Sequence, residues 1–207
     1  MNIEIKELKR KDHKKAILFA VTGMHFNWYL DNQFLLNLFG RYFWFQEITR
    51  ATQVLAAYEG ERLAGVLLAE MNGEKKKHKS YWISLYLKLF DAVLKFFYKG
   101  SAGLYEETME EMLEEYLKEN SPDGKIIFLA ADPDSQNKGI GTELLSAFEQ
   151  REPGKKIYLQ TNDACTYQFY EHRGFKRACE REVVLDLWNK RVRLKCFIYT
   201  KTTGLYK

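Results

Sequence analysis

Residues 2–8 set Ile3 and Ile5 against Glu4 and Lys6, the period-two alternation of a half-buried first strand. The period then changes. Between residues 13 and 28, Ile17, Ala20, Val21, Met24 and Trp28 recur at helical spacing. Asp31 or Asn32 can cap a second helix, whose apolar positions are Leu35, Leu38, Phe39, Tyr42 and Phe43. Two strand-like runs, 53–58 and 62–71, flank Glu59-Gly60-Glu61 and predict a hairpin. Residues 105–116 predict an acidic helix with Met109, Met112, Leu113 and Tyr116 on its buried face, ended by a turn at 120–124. A strand over 126–131 leads through a polar loop into a helix opening at Thr142, and a strand over 156–159 follows. Two more strands, about 176–187 and 191–200, enclose a turn at Asn189-Lys190. This order predicts an α/β protein: one domain over residues 1–207, with a mixed sheet and helices on both faces.

The segment between Gly73 and Gly103 stands apart. Lys75, Lys76, Lys77 and Lys79 precede YWISLYLKLFDAVLKFFYK, and Lys88, Lys95 and Lys99 fall inside it. Ser84, Lys88, Asp91 and Lys95 form one narrow polar stripe on an otherwise apolar helix over about 81–98. The charges interrupt any spanning stretch, so no transmembrane segment is expected. Packing over the sheet or its neighbours is the favoured reading of this helical insertion at about 74–103. A lid over a pocket and an interfacial or partner-binding helix are the alternatives.

Composition narrows the class without naming it. The 207 residues are 46% hydrophobic and 29% charged, ordinary for a globular domain, and the net charge of +4 does not call for nucleic acid. Cys165, Cys179 and Cys196 are odd in number and widely spaced, which argues against a disulfide framework and for a reducing compartment. The N-terminal residues hold no apolar run resembling a signal peptide, so a cytoplasmic location is the expectation. His25, His78 and His172 lack metal-ligand spacing, and no metal is expected. A homodimer is compatible with the sequence.

The chemistry is concentrated in IIFLAADPDSQNKGIGTELL, residues 126–145. A strand meets the breaker Asp132-Pro133. A short loop then delivers Gln136, Asn137, Lys138, Gly139, Ile140 and Gly141, and Thr142 opens the helix. A helix start offers unpaired amides and partial positive charge, glycines let a phosphate approach the backbone, and Lys138 adds a cation. The Walker spacing and the dinucleotide fingerprint are both absent. The pattern Q/R-x-x-G-x-G/A after a strand ending in x-Pro resembles the pantetheine-pyrophosphate loop of the GNAT superfamily of N-acetyltransferases. Downstream, the ending Phe169-Tyr170-Glu171-His172-Arg173-Gly174-Phe175 is similar to the family's Y-E-x-x-G-F signature, with Gly174 placed as a left-handed helix terminator.

The resemblance implies the family fold, a mostly antiparallel sheet of about seven strands, and acetyl-CoA as co-substrate. It implies direct transfer of the acetyl group to the primary amine of a small-molecule acceptor. A peptide or protein acceptor is the alternative, as is a non-catalytic CoA-binding regulatory or membrane-surface module. By the same resemblance, backbone at Leu129, Ala130 and Ala131 polarises the thioester carbonyl and Tyr170 protonates the leaving thiolate. The loop from Gln136 to Thr142 holds the cofactor, with Phe169 beside it. The family's asparagine position is Asp163 here, so the side-chain contact is divided between Asn162 and Thr166. No carboxylate lies on the strand over 126–131, leaving Glu70 as the candidate general base, with a water chain as the other route. Cys165 sits where a thiolate is favoured, but no His or Asp is placed to make it a nucleophile.

Overall fold

The protein is described here by a computed structural model covering residues 3–24, 32–78, 80–97, 102–135, 139–187 and 190–204. Seven strands form one sheet in the order β1-β2-β3-β4-β5-β7-β6: β1 (Ile3–Lys6), β2 (Gln53–Glu59), β3 (Arg62–Met71), β4 (Gly124–Ala131), β5 (Lys156–Asn162), β6 (Lys176–Leu187) and β7 (Lys190–Thr202). Among the described residues only β4 and β5 pair in parallel. Gly60 turns the β2–β3 hairpin with φ 62°, a left-handed value that glycine adopts without a Cβ clash. The expected turn at Asn189-Lys190 moves: Lys190 already pairs with Leu187 as the first residue of β7, and Asn189 lies outside the described residues.

Side-chain alternation assigns the faces. In β7, Phe197 and Tyr199 join one apolar cluster while Cys196 and Ile198 join another. α5 (Ile140–Arg151) covers the first face through Ile140, Leu144, Leu145 and Phe148. On the opposite face, α1 (His13–Gly23) and α2 (Gln33–Arg50) cover β2 to β4, and α4 (Ala102–Glu119) covers β5 to β7. The α1–α2 pair and α4 therefore stand side by side. Between Leu68↔Phe128 and Ala69↔Ile126 the register skips Ile127, so β4 carries a bulge. That extra residue lets Ile126 face α5 while Phe128 and Ala130 face α1 and α2.

α2 differs from its expected phase. Asn32 does cap it, its Oδ1 accepting from the amides of Phe34 (2.9 Å) and Leu35 (3.2 Å). The residues it buries are Leu36, Gly40, Trp44, Glu47 and Ile48, one face round from the predicted row. Phe39 and Tyr42 pack instead on Phe90 of α3 (Tyr81–Phe97), with ring centroids 5.7 and 4.6 Å apart. α2 thus has two apolar neighbours, the sheet and α3, and a single-face reading finds only one of them.

Candidate active site

The β4–β5 ladder holds only Gly124↔Ile157 and Lys125↔Tyr158, and beyond it the strands part. From Ile126 onward the facing strand edges have no ladder partner in each other, and buried backbone amides and carbonyls need one. A cleft of about 650 Å³ opens there. Leu129, Ala130 and Ala131 line it from β4, and Gln160, Thr161 and Asn162 line it from β5. Thr22, Gly23 and Met24 at the end of α1, with Tyr105 of α4, wall its other end.

The loop into α5 is pinned from below. Asp132 is buried, with its carboxylate 2.6 Å from Lys15 Nζ and 2.8 Å from Arg62 Nη2. Its Oδ1 accepts from the Asp134 amide at 3.1 Å, which fixes the short 3-10 turn Pro133–Ser135. Burial alone would raise the Asp132 carboxyl, but the bonds from Lys15 and Arg62 hold it below the usual carboxylate range. Gly139 then caps α5 at φ 74°, and among the described residues no side chain caps that helix end. Its first-turn amides are left for an anion.

The residues around this helix start fit a phosphate group. A Cβ on Gly141 would sit 3.0 Å from the Phe169 ring, so the backbone there stays bare. The Arg173 guanidinium lies 3.8 Å from the centre of that ring. Arg173 donates from Nε to Thr142 Oγ1 at 3.1 Å and from Nη1 to the Phe169 carbonyl at 3.1 Å. No carboxylate pairs with it among the described residues. Because Thr142 Oγ1 accepts from Arg173, its own proton is free for a ligand oxygen. Ser135 Oγ, 2% exposed and lining the cleft, has no hydrogen-bond partner among the described residues.

At the other end of this wall, Tyr170 lines the cleft from α6 (Gln168–Glu171). Its ring packs edge-on to Phe169 and Phe175, at 5.2 and 5.6 Å between centroids. Its hydroxyl makes no hydrogen bond among the described residues. Burial, then the neighbouring Cys165, push the phenol well above its ordinary value, so near neutral pH it is a proton donor.

Residues 100–177 match the family model of the acetyltransferase (GNAT) domain. Over these residues the chain is similar to a GNAT acetyltransferase domain. Solved structures share the fold across nearly the whole chain at low identity. The ribosomal-protein-S18-alanine N-acetyltransferase of Escherichia coli aligns with TM-score 0.54 and 14% identity, over 100% of this chain and 97% of its own. The PaiA N-acetyltransferase of Thermoplasma acidophilum, solved with coenzyme A, gives 0.53 and 17% over 98% and 99%. An N-acetyltransferase of Staphylococcus aureus Mu50 gives 0.52 and 13% over 99% and 100%. No curated protein matches the sequence.

Of the residues the GNAT motifs single out, the cleft gathers Leu129, Ala130, Ala131, Gly139, Ile140, Gly141, Thr142, Asn162, Thr166, Phe169 and Tyr170. Gln136, Asn137 and Lys138 lie outside the described residues. Asn162 is buried; its Nδ2 donates to Tyr105 Oη at 3.1 Å and its Oδ1 accepts from the Ala164 amide at 3.0 Å. Asp163, at the family's asparagine position, turns away and accepts from the Lys195 amide at 3.0 Å. Cys165 does not favour a thiolate, since burial pushes its thiol up.

Glu70 is not brought to the cleft, which corrects its reading as a general base. It pairs with Lys125, four residues and about 13 Å along β4 from Leu129. There it faces Lys125 (3.5 Å), Lys76 (3.7 Å) and Arg50 (3.8 Å), a role in joining α2 to the sheet. Arg173 is the residue sequence reasoning missed. Its local signal is a cation directly before Gly174, a position that the tyrosine and glycine of the motif leave unspecified.

Proposed function

We propose that this chain transfers the acetyl group of acetyl-CoA directly to the primary amine of a small molecule, acting as one domain. The observation that carries the reading is a single cleft joining three things: an uncapped, glycine-lined α5 start, the parted edge of β4, and the free Tyr170 hydroxyl. When bound, acetyl-CoA supplies an activated carbonyl on a thiolate leaving group.

The chain's own residues have separate parts. The α5 amides, Thr142 and Arg173 hold the phosphates, and the Ser135 hydroxyl faces the same space. The β4 backbone at Leu129, Ala130 and Ala131 directs amides at the carbonyl oxygen, where negative charge grows during attack. Tyr170 holds a proton on Oη at every working pH and gives it to the departing sulfur. Tyr105 and the α1 end wall the acceptor side. With no carboxylate lining the cleft among the described residues, the amine arrives neutral or loses its proton through water.

Turnover of acetyl-CoA by the purified chain against a broad panel of primary amines, read as released thiol, tests the proposal. Acceptor-dependent thiol release with an acetylated product is the expected result. Tight acetyl-CoA binding with no turnover on small amines or peptides would assign the chain to cofactor sensing.

A further inference from the structure

The third helix is apolar on two sides, and the fold covers one. Ile83, Tyr86, Leu87 and Phe90 turn inward, with Phe90 and Tyr86 packed on Phe39, Tyr42 and Phe45 of α2. Asp91, the acid of the polar stripe, also turns inward and accepts from Tyr42 Oη. On the outer side Trp82, Leu85 and Leu89, at helical positions i, i+3 and i+7, are 76, 37 and 61% exposed, and Tyr81 beside them is 75% exposed. A helix that is apolar on both faces lacks a partner on one of them.

We propose that this outer face of α3 seats the protein on an anionic lipid surface. Charge selects this occupant. On the outer side the described charge is Lys88, exposed and without an ion pair among the described residues. Lys75, in the strap leading to the helix, is likewise exposed and unpaired there. The strap's Lys76 and Lys77 reach Glu70 and Glu7 only at 3.7 and 3.5 Å from exposed positions, so both can turn to a new anion. The acid of the helix itself is bonded to Tyr42 on the other side, and the strap's Glu74 accepts from Gln53 Nε2. Tyr and Trp at the helix start suit the boundary between headgroups and acyl chains. A second copy fits less well, because a two-fold contact on this face brings both copies of Lys88 into one interface, while Asp91, the acid of the described part of α3, is bonded to Tyr42 on the other side. Among the described residues no helix is long and apolar enough to cross a membrane, so the contact is surface seating.

The test is co-sedimentation of the full chain with vesicles of phosphatidylcholine, with and without phosphatidylserine. The expected result is pelleting with the anionic vesicles, little with the neutral ones, and release by salt. Lys88→Glu weakens anionic binding by roughly tenfold or more, since reversal removes one attraction and adds a repulsion. The pair Trp82→Ser and Leu89→Ser abolishes binding while leaving the melting temperature and acetyl-CoA binding unchanged, because both side chains face solvent. No pelleting, or pelleting equal in the variants, overturns the proposal. So does a dimer in sedimentation velocity that the same two serines dissociate, since the face then holds a second copy.

Discussion

Replacing Tyr170 by phenylalanine isolates one atom. The ring stays packed on Phe169 and Phe175, and the lost hydroxyl has no hydrogen-bond partner among the described residues. Folding therefore loses no native hydrogen bond, and stability should move by less than about 0.5 kcal/mol. Acetyl-CoA binding, read as ligand-induced thermal stabilisation, should also hold, because the phosphates are gripped elsewhere. Turnover is different. Without the donor the sulfur leaves as a bare thiolate in a partly buried cleft, and a general acid contributes about 10²–10⁴-fold, or about 2.7–5.5 kcal/mol of barrier. The interaction exists only as the thiolate forms, so kcat and kcat/KM should fall by the same factor. The raised phenol also predicts that wild-type activity climbs with pH as the acceptor amine deprotonates, without loss from Tyr170 up to at least about pH 10. Steady-state thiol release on the identified acceptor measures both. A phenylalanine variant with near wild-type kcat would return Tyr170 to packing and leave protonation to water.

Gly141→Val drives a side chain into the Phe169 ring, where even a Cβ would lie 3.0 Å away; overpacking of about 1–3 kcal/mol and loss of most acetyl-CoA stabilisation should appear in thermal shift. Arg173→Gln should weaken acetyl-CoA about tenfold by calorimetry and leave an acetyl thioester of pantetheine, which lacks phosphate, unaffected; equal loss for both donors would mean a packing role. Glu70→Gln should keep kcat within about twofold while lowering stability by about 1–3 kcal/mol, and a hundredfold drop in kcat would restore it as the base. Asp132→Asn should cost about 1–3 kcal/mol near neutral pH, discounted because Lys15 and Arg62 are partly solvated. The Asp132 carboxyl is held low in the fold, so its contribution is full above about pH 4 and fades as pH falls through the folded value; the deficit of the variant in denaturant melts should shrink there.

The readable parts of this chain are those where local chemistry and tertiary role coincide. Gly139 must take positive φ, and the cleft needs that bare helix start, so one residue type answers both demands. Pro133 and the hairpin glycine work in the same way. For Glu70, sequence shows a carboxylate near the right strand but not the register that pairs it with Lys125. Phe39 and Tyr42 belong to an apolar row, and nothing local says that α3 rather than the sheet would cover them. Asn162 ends β5 and Asp163 begins the turn beyond it, so a shift of one residue decides which enters the cleft. Arg173 reaches Thr142 across 31 residues, a contact that no local pattern encodes.

The turn before β4 has a mechanical meaning that its sequence hides. The Asp123 amide donates to the Lys156 carbonyl at 2.7 Å, and the Lys156 amide donates back to Asp123 Oδ2 at 2.8 Å. The Asp123 carbonyl also accepts from the Asn72 amide at 2.8 Å, and Lys156 Nζ donates to Asn120 at 2.6 Å. The end of β3 and the starts of β4 and β5 are thus stapled at one point, beside the short stretch of ladder that joins the two halves of the sheet. The sheet is a pair of tongs pinned at that joint, with the cleft between its tips. A surface turn far from the reacting atoms therefore sets the gape of the jaws, and a small change of angle at the pin is magnified along the length of each strand.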